Sequence, residues 1–352
     1  NNISEMIAWE RWEGTIEYTF MAPVRRYNQM LGQTLFAIIY SLTGPLNLAQ
    51  ISELAPSTLH NPAGLAAFAL LLIGFGVKGE LFPVNTWVPE VYATAPARIA
   101  ALLAGLVSKL AVIVIVRLLV LAFDGTGAST LLLVLGALGV ITGELAAWRA
   151  RDFSRMLAYS SIGQLGLVFV AFSLPGPAGI LAGLAVALHH LLIKSALFGL
   201  ATRWNGSLAA MAGAARSAPL ASALFVLFAL SLIGVPPLPG FWAKLLVLSG
   251  LVQIGSAAAT AALLVVLLAT AVEANYLFRV ALRLYQQPEA GTRPVRPARL
   301  DVAVAALFGL VLLAATVAID PLAEMLDGIA EQTTDVAGYI STVFPQAVAQ
   351  AR

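Results

Sequence analysis

Long apolar runs separated by short polar segments organise the chain. Each run is about 20 residues long, enough for an α-helix to cross a hydrocarbon layer of about 30 Å. The runs lie near residues 29–46, 64–85, 98–122, 129–147, 156–174, 179–201, 218–251, 258–281 and 300–319. The alternating strands of about ten residues that a closed β-barrel needs are absent from the pattern. The sequence therefore predicts an all-α, polytopic membrane protein with about nine spans.

Prolines interrupt two of these runs. The run at 218–251 is too long for one straight span, and Pro236 and Pro237 lie inside it, in "GVPPLPG". Proline removes a backbone donor and clashes with the preceding turn, so we expect a break within the membrane here and a milder one at Pro83. The segments "LLLIGFG" and "LSLIGVP" precede these breaks, and paired interrupted helices indicate a transporter site built from internal repeats.

Composition supports the membrane assignment. Only 11% of the 352 residues are charged and 60% are hydrophobic, against roughly 25% charged in soluble domains. The chain has no cysteine, which excludes disulfides, thiolate metal sites and iron–sulfur clusters. We therefore expect no cofactor and no redox site of its own, so any electron transfer would take place in another subunit.

Arginines mark one side of the predicted topology. With alternating spans, one side receives Arg25, Arg26, Arg98, Arg149, Arg151, Arg155, Arg203, Arg216, Arg283, Arg293, Arg296 and Arg299. The other side receives Glu53, Asp124 and an acidic C-terminal tail. The positive-inside rule makes the arginine side cytoplasmic and places the C-terminus outside, in a bacterial inner membrane. The net charge of +2 reflects these anchors, and nucleic acid is not an expected partner.

All four lysines lie inside predicted spans: Lys78, Lys109, Lys194 and Lys244. A lysine at the centre of a membrane helix costs about 2.5–3.5 kcal/mol on insertion scales. Burial can lower the pKa of lysine to where it exchanges a proton near neutrality, whereas arginine stays charged. The set therefore indicates a proton relay. The alternative, a snorkelling anchor near a helix end, stays open above all for Lys244.

Histidines and carboxylates extend the candidate relay. His190 and Lys194 share a helix face, so a proton could pass between them through one water, whereas His189 suits an interhelical hydrogen bond and is a secondary candidate. Glu273 is a further candidate within a span. Glu144 is a weaker one, since a local pair with Arg149 at the interface explains it better, and Glu80 lies on a different helix face from Lys78. No ligand spacing indicates a metal site.

Four ordered blocks resemble the antiporter-like membrane subunits. They are "GFGVKGELFPVNTWVPEVYATAPARIAALLAGLVSKLAVIVIVRLL", "RDFSRMLAYSSIGQLGLVFVAFSL", "HHLLIKSALFGLA" and "SLIGVPPLPGFWAKLLVL". This superfamily contains the D-type subunits of Mrp-type cation/proton antiporters and the proton-channel subunits (L, M and N type) of respiratory complex I. Related hydrogenase and bicarbonate-uptake complexes share the pattern.

The resemblance implies a fold of fourteen helices with two inverted five-helix repeats, each containing a discontinuous helix. Residues 1–122 would be a truncated first repeat, 123–285 the second repeat, and 286–352 a final span with an acidic amphipathic tail. An N-terminal part is then expected to precede residue 1. The relay positions implied by the family are Lys78, Lys109, His190, Lys194 and Lys244.

Two departures from the family pattern affect the first half of the relay. Asn85 stands where the family usually has histidine, and the helix that carries the family's first carboxylate is missing or truncated. The principal hypothesis is a subunit that translocates protons, or exchanges them for Na⁺, within a larger membrane complex of integral subunits and lipid. The alternatives are a non-pumping structural subunit of a related complex and, with less support, a stand-alone transporter.

Overall fold

The described part of the chain is almost entirely helical. The computed structural model describes residues 47–204, 206–288 and 297–343, so the predicted span at 29–46 lies outside it. The helices are α1 (Leu48–Thr58), α2 (Pro62–Lys78), α3 (Val88–Thr94), α4 (Ala97–Phe123), α5 (Ala128–Arg149), α6 (Phe153–Phe172), α7 (Gly176–Trp204), α8 (Pro219–Ile233), α9 (Pro239–Ile254), α10 (Ala257–Tyr285), α11 (Arg299–Val317), α12 (Ile319–Thr334) and α13 (Val336–Val343). Within those ranges, Asp152 and Ser207 form one isolated β-bridge and no strand is present.

Six of the described helices are long and apolar enough to cross a membrane: α4, α5, α6, α7, α10 and α11. Three shorter apolar helices, α2, α8 and α9, have 17, 15 and 16 residues. At 1.5 Å per residue, each of these falls short of a layer about 30 Å thick. The short helices therefore need a following segment to complete a crossing.

The second broken helix forms where the sequence predicts it. Helix α8 ends at Ile233, Gly234 takes a left-handed conformation with φ of 89°, and α9 begins at Pro239. Proline is tolerated in the first turn of a helix because the N–H that it lacks has no partner there. Pro236 and Pro237 lie in the segment of "GVPPLPG" between the two helices, at the position that the sequence predicts.

The break in the first interrupted helix is longer than the sequence predicts. Helix α2 ends at Lys78, five residues before Pro83, and α3 begins at Val88. Pro83 lies within this break, which is longer than the mild interruption that the sequence predicts and includes Glu80, whose φ is 57°. The turns between the helices are held by short-range bonds such as Leu81 N–H to the Gly76 carbonyl, at 2.9 Å.

Glycines bring α5 and α6 into direct backbone contact. An added Cβ at Gly143 would lie 2.3 Å from the Gly163 nitrogen, and one at Gly166 would lie 2.6 Å from the Gly136 carbonyl oxygen. Small residues of this kind are what allow membrane helices to approach closely. Helix α6 is the centre of the bundle: 89% of its most apolar stretch is buried, against 22% for α10.

Arginines near helix ends join neighbouring elements. Leu208 N–H donates to the Arg151 carbonyl at 2.9 Å, and the Arg155 guanidinium pairs with Glu90 at 2.8 Å. Arg98, at the start of α4, pairs with Asp301 at 3.0 Å. These ion pairs join α6 to α3 and α4 to α11.

The C-terminal helices pack back onto the bundle. Helix α12 is amphipathic, with Leu326 and Ala330 buried and its acidic side chains exposed, and it lies against α7. Helix α13 packs against α1, and the Arg117 guanidinium lies 4.7 Å from the centre of the Tyr339 ring. The acidic tail is thus a folded part of the described structure.

Candidate functional site

A line of buried polar side chains crosses the apolar bundle. We call it the polar track; its members are Glu80, Lys109, His190, Lys194, Ser160, Tyr276, Glu144, Gln164, Glu273 and Lys244. These residues come from the first break and from α4, α5, α6, α7, α9 and α10. Buried polar groups need partners, and the contacts below supply most of them.

Lys109 begins the line on α4. Its ammonium contacts His190 Nδ1 and donates to the Ser108 hydroxyl at 3.2 Å and to the Ala104 carbonyl. A π-helical turn at Leu103–Val107 directly precedes it, and such turns are frequent at functional sites. The side chain is only 6% exposed, so this amine is shielded from bulk solvent.

His190 and Lys194 lie one turn apart on α7, as the sequence predicts. The imidazole of His190 contacts Lys109 through Nδ1, while its Nε2 is buried with no hydrogen-bond partner among the described residues. The Lys194 ammonium is fully buried and donates to the Ser160 hydroxyl at 2.7 Å and to the Leu157 carbonyl at 3.3 Å. His190 thus joins Lys109 to the helical turn that carries Lys194.

Tyr276 and Glu144 continue the line towards α10 and α5. Ser160 accepts from Lys194 at 2.7 Å, and the Tyr276 hydroxyl donates to Glu144 Oε2 at 2.9 Å. The interpretation of Glu144 as an interfacial partner of Arg149 is wrong: Glu144 is 3% exposed, and its carboxylate lies over Gly163 of α6. The close glycine packing of α5 on α6 makes room for it.

A buried ion pair forms the far end of the line. The Lys244 ammonium lies 2.6 Å from Glu273 Oε2, and Gln164 donates to Glu273 Oε1 at 2.6 Å. Both charged side chains are buried. The snorkelling interpretation of Lys244 is therefore wrong. The ammonium is buried and paired with Glu273 on α10 and does not extend to the membrane surface.

His189 and Lys78 lie apart from these contacts. His189 Nε2 and the Ser231 hydroxyl are 2.9 Å apart, which is the interhelical bond that the sequence suggests. Lys78 ends α2 with an exposed side chain, and no hydrogen bond or ion pair joins it to the described parts of the chain. The expectation of burial therefore holds for three of the four lysines within the described residues.

Sequence reasoning missed several members of the polar track. Glu80 was set aside because it is two residues from Lys78, yet it is 1% exposed and bonded to Tyr92. The signals that could have found the others are helical spacings: Gln164 follows Ser160 by four residues, and Tyr276 follows Glu273 by three. Each is a polar residue in an otherwise apolar span.

The sequence also matches a known family over most of its length. Residues 27–270 match the family described as NADH:quinone oxidoreductase/Mrp antiporter, transmembrane. The chain belongs to this family.

Relatives of the chain are subunits of two different membrane complexes. The chain is 34% identical over 270 residues to the N subunit of an NADH-quinone oxidoreductase from Desulforudis audaxviator, which covers 74% of the chain and 53% of that protein. It is 36% identical over 216 residues to the D subunit of a Na⁺/H⁺ antiporter from Alkalihalophilus pseudofirmus, covering 59% of the chain and 44% of that protein. The chain thus spans about half the length of these relatives.

Solved structures of the family share the fold. A chain of the Mrp complex from Dietzia sp. superposes with a TM-score of 0.79 at 25% identity, covering 90% of this chain and 68% of that one. A chain of the archaeal membrane-bound sulfane sulfur reductase gives a TM-score of 0.81 at 28% identity, covering 95% and 69%. The family and the apolar helices together identify an integral membrane protein of the antiporter-like class.

Proposed function

We propose that the chain is an ion-translocating subunit that moves protons, or exchanges Na⁺ for protons, within a multisubunit antiporter or respiratory membrane complex. The observation that carries this proposal is the polar track, in which three lysines, three carboxylates and a histidine are buried across an apolar bundle. Isolated ionised groups are costly in such surroundings, and intramembrane ionisable residues are by default functional. A purely structural bundle has no need for so many.

The contacts suggest how protons would pass along the polar track. Lys109 and His190 touch, so a proton can move between their nitrogens. Rotation of the imidazole about its side-chain bonds would then present it to Lys194, one turn along α7. Beyond Lys194 the track continues with two hydrogen-bonded pairs, Lys194 with Ser160 and Tyr276 with Glu144.

The Lys244–Glu273 pair would act as the switch at the far end. An ammonium holds its proton more firmly beside a carboxylate than alone, so separating the two side chains favours proton release. The pair joins α9 to α10, and α9 follows a break that can adjust its position. A change transmitted through the broken helix would then separate Lys244 from Glu273 or bring them together.

Partners and location follow from the same proposal. The chain has no cysteine, so any electron transfer that drives translocation would take place in other subunits of the complex. We place it in the bacterial inner membrane with its arginine-rich connections cytoplasmic and its C-terminus outside. The two broken helices would be equivalent elements of inverted repeats divided near residues 122 and 285.

A non-pumping structural subunit is the second candidate. Two observations at the first break favour it: the Lys78 side chain is exposed, and Asn85 occupies the position where the family usually has a titratable histidine. Under this alternative the second half of the track would maintain helix packing alone.

Proton movement in inverted membrane vesicles tests the proposal. A pH-sensitive fluorescent dye follows acidification after the complex is energised by NADH or by an imposed Na⁺ gradient. Lys109→Ala and Lys244→Ala should each abolish the signal while the complex still assembles, and Arg283→Gln, at an exposed position, should leave it intact. Unchanged acidification in both lysine variants would support the structural alternative. Acidification that depends on the imposed Na⁺ gradient would indicate that the subunit exchanges Na⁺ for protons.

A further inference from the structure

Glu80 is a buried carboxylate in the break between α2 and α3. It is 1% exposed, and its Oε1 accepts a hydrogen bond of 2.6 Å from the Tyr92 hydroxyl. Its Oε2 is buried without a hydrogen-bond partner among the described residues. A buried carboxylate oxygen without a donor is costly, so the arrangement requires an explanation.

The backbone holds Glu80 in an unusual conformation. Its φ is 57°, the one positive value among the described non-glycine residues. Such a conformation costs about 1–3 kcal/mol and persists where the surroundings impose it, often at functional sites. Here the Asn85 amide donates to the Glu80 carbonyl at 3.2 Å and Leu81 N–H to the Gly76 carbonyl at 2.9 Å. The break is thus built to direct this side chain inward.

Glu80 is linked through Tyr92 to α7, which carries two members of the polar track. Tyr92, which holds its other oxygen, packs edge-on against Phe198 with ring centres 5.5 Å apart, and Phe198 is one turn beyond Lys194 on α7. The neighbouring Gly79 faces α4, because a Cβ added there would lie 3.8 Å from Ala111 Cβ, two residues from Lys109. Glu80 is therefore next to the parts of α4 and α7 that carry Lys109 and Lys194.

The first half of the track otherwise has no carboxylate. Within the described residues, Lys109 contacts His190, Ser108 and a carbonyl but forms no ion pair, whereas in the second half Lys244 is paired with Glu273. Glu80 supplies the missing negative charge. Its position also coincides with the break in which Asn85 replaces a titratable residue.

We infer that Glu80 is a further proton-exchanging residue of the polar track, serving Lys109 from the first broken helix. This inference rests on the proposed function. In the step, the Lys109 ammonium loses a proton to Glu80 Oε2, giving a neutral amine and a carboxylic acid, and the reverse transfer restores both charges. Tyr92 is a positioning residue that holds the carboxyl group through Oε1.

Glu80→Gln tests the inference in the vesicle assay. The amide keeps the shape and an oxygen for the Tyr92 bond but cannot exchange the proton, so acidification should fall by roughly tenfold or more at an equal amount of assembled complex. The matched control is Glu90→Gln, ten residues along the same segment, where the side chain is exposed and its pair with Arg155 contributes little. Wild-type acidification in Glu80→Gln would overturn the inference.

Parallel measurements separate this outcome from failure of the proposed function. If Lys109→Ala abolishes acidification while Glu80→Gln does not, the inference fails and the function stands; if neither variant changes acidification, both fail. Infrared difference spectra between alkaline and acid pH give a readout that a structural role would not produce. A carboxyl C=O band should titrate in the wild-type complex and disappear in Glu80→Gln.

A second variant covers the case in which Glu80→Gln does not assemble. Tyr92→Phe keeps the ring against Phe198 and removes the hydrogen bond to Oε1. It should therefore shift the frequency of that carboxyl band. An infrared spectrum with no such band, or with a band indifferent to Tyr92→Phe, would overturn the inference.

Discussion

The Lys244 ammonium and the Glu273 carboxylate meet at 2.6 Å between α9 and α10, and both side chains are shielded from solvent. A buried pair of this kind is expensive to break but not a strong source of stability, because both charges have left water. Gln164 supplies a second bond to the carboxylate at 2.6 Å, so the pair is tied to the central helix α6 as well.

A double-mutant cycle at this pair should separate stability from transport. Glu273→Gln leaves a buried lysine without its counter-charge, and we expect a loss of about 3–5 kcal/mol in the free energy of unfolding. Replacing both residues, with Lys244→Met and Glu273→Met, should recover most of that loss yet leave proton movement absent. Thermal unfolding in detergent and vesicle acidification provide the two readouts. Recovery of transport in the double variant would contradict a role for the pair.

Gly163→Ala should displace Glu144. The added Cβ would lie 2.2 Å from Glu144 Oε1, so the carboxylate must move and its bond to Tyr276 should be lost. We expect a loss of about 1–3 kcal/mol in stability and a reduced rate of acidification. Gly199→Ala is the matched control: no atom lies within 4 Å of the added Cβ on α7, so it should be neutral or stabilising. Equal effects of the two substitutions would contradict this account of Glu144.

The neighbouring histidines should behave differently. His190→Gln interrupts the contact with Lys109 and removes a titratable group, so acidification should fall by roughly a hundredfold. His189→Gln can keep a hydrogen bond to Ser231 across the helices and should preserve most of the rate. Initial rates at equal amounts of complex decide between them, and similar losses for both would argue against a specific path through His190.

The two arginine–carboxylate pairs should differ in their contributions to stability. Asp301 has a side chain that is 5% exposed, so Arg98→Gln would leave a buried carboxylate unpaired and cost about 3–5 kcal/mol. In the exposed pair of Arg155 with Glu90, Arg155→Gln should cost about 1 kcal/mol or less. Shifts in unfolding temperature measure both, and equal shifts would show that burial of Asp301 does not govern the energetics.

Local chemistry explains what the sequence could predict about the fold. Proline interrupts a helix at its own position, so the second break can be predicted from Pro236 alone. Apolar length likewise predicts the spans at α5, α6 and α10 to within a few residues. The first break is different, because Glu80 is held by Asn85 and by Tyr92, and the Tyr92 ring packs against Phe198, which is far along the chain.

Long-range packing explains what the sequence could not predict about the site. Lys109 and His190 are 81 residues apart, and nothing in either helix indicates that they touch. Glu144 was interpreted from its neighbour Arg149, whereas its partner Tyr276 is 132 residues away. Membrane burial alone marked the lysines as candidates, and tertiary structure supplied their partners and separated Lys78 from the others.

Lys194 is the central test of the account, because its fully buried ammonium lies between the two halves of the polar track. Lys194→Met keeps the length and apolar bulk of the side chain but cannot carry a proton. The initial rate of vesicle acidification, measured at an equal amount of assembled complex, should fall to the level of vesicles lacking the protein. A rate equal to that of the wild-type complex would contradict proton transfer along this track.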